Sequence, residues 1–189
     1  MKNLRPVFER SRQLLAQPVQ TWVTIDNEHL SPKALFHAFL KPFLILIALA
    51  TAIGCYLFTS RFIFSPLYMV GQMAAAVLVQ GGGLLVTAWI LKEALPNYRL
   101  PKDFQGTFTL LCYALVPLFI VTTISAMFPV FILIKVFGFY SVWLFYTGLN
   151  PLLRMQEASR VEFTAVSTII YLVICAFIYT LTHAVVGEL

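Results

Sequence analysis

The chain has 189 residues, 60% hydrophobic and 11% charged, with a mean hydropathy of +0.85. So few charges cannot clothe a soluble domain, and so much apolar surface excludes intrinsic disorder. Three cysteines without a Cys-x-x-Cys spacing exclude a disulfide scaffold, and a net charge of +5 spread thinly along the chain argues against nucleic acid as a partner. The composition is that of an all-α, polytopic membrane bundle.

Residues 1–33 read as a polar, basic, cytoplasmic lead-in. No signal peptide is expected there, because the first long apolar run opens only at Leu35. Leu4, Val7, Phe8, Leu14, Leu15, Val19, Trp22 and Ile25 recur mostly at three-to-four spacing, with Arg5, Arg10 and Arg12 between them. That pattern predicts a short amphipathic helix, started by Pro6 and ended or kinked by Pro18. It suits the headgroup boundary, where its arginines meet anionic lipids of the cytoplasmic face. It equally suits packing on the ends of the bundle, or a partner-binding face. Trp22 is expected to anchor at the interface.

Residues 34–189 predict a five-helix transmembrane domain, with spans over 34–58, 66–91, 106–127, 129–149 and 163–186. Ser31-Pro32 supplies an N-cap and a first-turn proline for the first span, which Lys41 and Pro42 interrupt. The second span carries Gly71, Ala75 and Gly81-Gly82-Gly83 flanked by Gln72 and Gln80. It reads as a packing helix softened enough to bend. In the third, Pro117 removes the bond to the Tyr113 carbonyl. A kink follows, whose freed backbone a neighbour such as Thr122 or a water can satisfy, or a hinge or helix-docking site. The short Met127-Phe128-Pro129 turn makes the third and fourth spans an antiparallel hairpin.

The cations sort over this layout. Lys2, Arg5, Arg10, Arg12, Lys33 and Lys41, then Lys92, Arg99 and Lys102, then Arg154 and Arg160, fall on one side, and Arg61 on the other. The positive-inside rule then places the amino terminus in the cytoplasm and the carboxyl terminus across the membrane.

Inside the spans there is little chemistry. All eight acids, Glu188 among them, lie outside the spans or at their ends. His29, His37 and His183 are scattered, and Cys55, Cys112 and Cys175 sit singly, as small core residues do. No catalytic, cofactor or metal site is predicted. Ser65, Ser125, Ser141 and Ser167 offer hydroxyls, but no histidine base stands near them in sequence. Lys135 is the anomaly, six residues past Pro129 and about 9 Å deep at an α-helical rise. The expectation is a side chain snorkelling to the non-cytoplasmic face; the alternative is a cation facing a cavity.

Several segments together carry a resemblance. They are the lead-in with Pro18, Trp22 and Ile25; Lys41-Pro42-Phe43 where the first span begins; Tyr113-Ala114-Leu115-Val116-Pro117; and Leu144-Phe145-Tyr146-Thr147-Gly148-Leu149. In order and spacing the chain resembles the Yip domain family (Ypt/Rab-interacting, YIPF-like), in its bacterial form. The resemblance singles out Trp22, Pro18, Tyr113, Pro117 and Gly148 beside Lys135. Its eukaryotic members are linked to vesicle trafficking and to Rab-type GTPases, and they carry a long cytoplasmic amino-terminal domain. With only about 33 residues before the first span, GTPase binding does not carry over. The expectation is a non-enzymatic scaffold or adaptor of a bacterial inner membrane, acting in membrane organisation or trafficking. Its expected partners are the bilayer with its anionic lipids, and another membrane protein or a second copy. The alternative is a small transporter, channel or lipid-handling protein with a polar site near Lys135.

Overall fold

A computed structural model describes residues 4–28, 30–59 and 65–186, with side chains from Glu9 onward. His29, Arg61 and Glu188, and the side chains of Leu4, Arg5, Val7 and Phe8, lie outside the described residues. All regular structure described is helical. Two short helices, α1 (Leu4–Ala16) and α2 (Pro18–Glu28), lead into the apolar segments. Four unbroken helices are long and apolar enough to cross a bilayer: Pro32–Phe58, Pro66–Tyr98, Pro129–Leu153 and Glu157–Val186. A fifth segment, third in order, is a pair, Phe104–Ala114 and Val116–Met127, bent by 45°.

Local chemistry explains the starts. Ser31 Oγ accepts from the Ala34 amide at 3.3 Å, Ser65 Oγ from Tyr68 at 3.0 Å, and Asp103 from Gly106 at 2.9 Å. Each satisfies an amide that the first helical turn leaves unpaired, and Pro32 and Pro66 lose nothing at the first helical position. The helices overrun the apolar stretches into polar sequence. The second continues to Tyr98 and the fourth past Pro151 to Leu153, closed by Arg99 and Arg154 in the left-handed conformation.

The third span is the axis of the molecule. Every residue from Gly106 to Val116, and Pro117, is buried. The first span runs beside it in the same direction, with Phe39 on Tyr113, Phe43 on Phe119, and Gly54 against the Ala126 carbonyl. The fourth returns antiparallel after a single extended residue, Phe128. The fifth is peripheral: in thirty residues it buries only Phe163, Thr164, Ser167, Tyr171 and Val186. The outward residues Ile45, Leu49, Leu133, Phe137, Ile169 and Phe177 are at least half exposed, as lipid-facing residues are.

Three of the four unbroken spans depart from regular α-helix, the first by a π turn over Phe36–Leu40. The triple glycine of the second does not break it; a π turn over Leu78–Gly82 absorbs the softness in a continuous helix. The first half of the fourth, Pro129–Phe139, winds in 3₁₀ turns interrupted by a kink at Phe131 (φ −88°, ψ 27°).

Candidate functional site

The lead-in is a pair of helices. It breaks at Gln17, before Pro18, and folds back so that Arg10 pairs with Glu28. Pro18 opens α2, and the Gln17 carbonyl accepts from both the Thr21 amide, at 3.1 Å, and the Thr21 hydroxyl, at 2.8 Å. Leu14, Thr21, Trp22 and Ile25 are buried, and α2 packs along the fourth span.

Trp22 is the centre of this seat. It is fully buried, so it is a packing residue and not the interface anchor expected of it. Its indole N–H donates to Thr147 Oγ1 at 3.2 Å, and its ring meets Tyr113 edge-on at 6.3 Å between centroids. The socket exists because Gly148 has no side chain. A Cβ there would stand 2.8 Å from the Trp22 ring and 2.5 Å from Leu110 Cδ1. A fully buried indole with its N–H satisfied combines a large apolar contribution with a directional bond. Tyr140 adds a second tie, donating to the Leu15 carbonyl at 3.3 Å. Four of the singled-out residues thus converge: Pro18 aims Trp22, Gly148 admits it and Tyr113 faces it.

Pro117 and Lys135 belong to a different place. The third span breaks at Leu115 (φ −82°, ψ 2°), and Pro117 occupies the first turn of its second half. There the missing N–H is one that would lack a partner anyway. The Leu118 amide, freed by the break, donates to Ser141 Oγ of the fourth span at 3.2 Å. Thr122, the neighbour expected to help, is engaged instead by Gln80 Nε2 at 3.4 Å. Beside the break lies a cleft of about 210 Å³ lined by Leu115, Leu118, Ser141, Ser167 and Tyr171, with Lys135 among its lining residues. Lys135 is exposed, and it makes no ion pair among the described residues. Ser167 Oγ is buried without a hydrogen-bond partner.

A third polar group ties spans together. Gln80, in the π turn, accepts from the Tyr171 hydroxyl at 3.1 Å and donates to Thr122, so one amide joins the second, third and fifth spans. Sequence reading named Gln80 but not its partners, and it missed Gly54. The signal for Gly54 was present as Ala50-x-x-x-Gly54, a small-residue pair on a helix face.

No group of three or more His, Cys, Asp or Glu side chains among the described residues is arranged to hold a metal ion. Ser65 caps a helix, Ser125 donates to the Thr122 carbonyl at 3.2 Å, and Ser141 serves the Leu118 amide. None of these serines is bonded to a histidine among the described residues.

Comparison with known proteins supplies one match. No curated protein and no solved structure is matched. The family model of the Yip1 domain matches residues 12–180, a stretch that begins on α1 and takes in the hairpin, its socket and all five spans to within a few residues of the last helix's end. This membrane protein belongs to the Yip1 domain family.

Proposed function

We propose that the protein is a non-enzymatic membrane scaffold or adaptor, acting in membrane organisation or trafficking, with its lysine- and arginine-rich end and the α1–α2 hairpin in the cytoplasm of an inner membrane. The seating of the hairpin carries this reading. A helix held by a buried tryptophan, a tyrosine tie and an ion pair presents a fixed outer face. On α2 that face shows Val19 and Val23, one helical turn apart and 63% and 53% exposed, flanked by Gln20, Thr24 and Asn27. A short apolar strip with a polar rim suits a partner helix at the membrane surface, whether another membrane protein or a second copy.

One observation favours a second reading, a transporter or lipid-handling protein. Ser167, buried and unpaired, shares its cleft with the exposed cation Lys135.

A photocrosslinking residue at position 19 or 23 in native membranes tests the adaptor. The expected result is a protein adduct of discrete mass that Trp22→Ala abolishes by unseating the hairpin, while the chain still inserts. Adducts to lipid alone, or an adduct indifferent to Trp22→Ala, would overturn it.

A further inference from the structure

A space larger than the cleft beside Lys135 lies away from both that cleft and the socket. It is a groove of about 760 Å³ between α1, the first span and the second half of the third. One wall is Ser11, Arg12, Leu15 and Ala16; Pro42 and Leu46 form another, and Ile120 and Ile124 face them. Protein interiors leave few voids larger than a water, and a space of this size is in the range of ligand pockets.

Three observations define what fits. The groove is apolar except at one end. Thr123, which also lines it, has its hydroxyl committed to the Phe119 carbonyl at 2.8 Å. The polar end is cationic: Arg12 is exposed and makes no ion pair among the described residues, whereas its neighbour Arg10 is taken by Glu28. No carboxylate lines the groove. The third observation is depth. Lys41 and Pro42 interrupt the apolar run of the first span, and its uninterrupted part begins at Pro42. Ile124 stands two residues before Ala126, whose carbonyl faces Gly54, so the groove's far end is about ten residues below Pro42. At 1.5 Å per residue that is about 15 Å, half of a ~30 Å hydrocarbon core.

A cation at the level of the headgroups, above an apolar channel one leaflet deep, matches one molecule. We propose that the groove holds a single anionic phospholipid of the leaflet on the basic side, its phosphate on the Arg12 guanidinium and an acyl chain between the first and third spans. The guanidinium suits the phosphate because its planar fork offers paired donors. The lipid would fill the space under α1 and brace the hairpin from the side opposite the Trp22 socket. This proposal does not rest on the adaptor reading.

Native mass spectrometry of the full chain released from detergent micelles tests it, with phosphatidylglycerol or phosphatidylcholine added. The expected result is one phosphatidylglycerol retained at activation that strips phosphatidylcholine. Arg12→Gln, an exposed position, should lower that retention about five- to tenfold. Ala16→Trp, which puts a ring into the groove, should lower retention of both lipids. Lys135→Gln, beside the other cleft, should change neither. Phosphatidylglycerol retention unaffected by both α1 variants would overturn the proposal. So would retention lost with Lys135→Gln, displacement by inorganic phosphate alone, or a lipid-free dimer that Ala16→Trp dissociates.

Discussion

Gly148 and Trp22 work as a fitted pair, because the ring occupies the volume where a side chain at 148 would stand. Neither neighbour can shift within the packed socket, since Leu110 and Trp22 are both fully buried. Gly148→Val therefore overpacks the site, at about 1–3 kcal/mol by the usual cost of such insertions, with the strain relieved by expelling the indole. Trp22→Ala leaves the socket empty, at about 3–5 kcal/mol. Trp22→Phe keeps most of the apolar contact and loses the bond to Thr147, at about 0.5–1.5 kcal/mol. Limited proteolysis of membranes should then rank cleavage within residues 9–28 as wild type, Trp22→Phe, and well above both, Gly148→Val and Trp22→Ala. Equal cleavage in all four would show that the hairpin is not held by this pair.

The third span shows how one element is cut and repaired. A proline in a helix interior costs roughly 3 kcal/mol, but here the helix restarts at Val116 and Pro117 falls in its opening turn. The bill is reduced to amides that need outside acceptors, and Ser141 supplies one to Leu118. Ser141→Ala should therefore destabilise the bundle by about 1–3 kcal/mol, the cost of an unsatisfied buried amide. In a Pro117→Ala background the helix can run through, and the Leu118 amide regains an acceptor within its own helix. Ser141→Ala should then cost less. A double-mutant cycle read by thermal unfolding in detergent measures that coupling, and strictly additive effects would show that Ser141 does not serve the break.

At the scale of the whole molecule, what was legible in the sequence is what depends on a continuous signal. The five apolar runs, the helix starts at Pro32 and Pro66, the break near Pro117 and the tight turn at Phe128 all have local causes, and all are present in the fold. The placement of the lead-in was not legible, since an apolar helical face is the same whether lipid or protein covers it. Trp22 illustrates this: only Gly148, 126 positions away, decides that its ring is packed and not interfacial. The 3₁₀ half of the fourth span was hidden for a similar reason, because the apolar run Val130–Ile134 suits any helix. The orientation, by contrast, is an expectation drawn from sequence charge alone. Arg99, Lys102, Arg154 and Arg160 follow even-numbered spans, at the same end of the bundle as the hairpin, where Tyr98 donates to Glu162 at 3.2 Å and Gln105 to the Leu30 carbonyl at 3.1 Å. With an odd number of spans, the positive-inside rule predicts position 188 on the other side. Single cysteines at positions 99 and 188, in a chain whose Cys55, Cys112 and Cys175 are replaced, should label from opposite faces of sealed vesicles, with 99 protected on the cytoplasmic side. Labelling of both from one face would mean that the bent third segment does not cross the membrane, leaving four spans and a re-entrant pair.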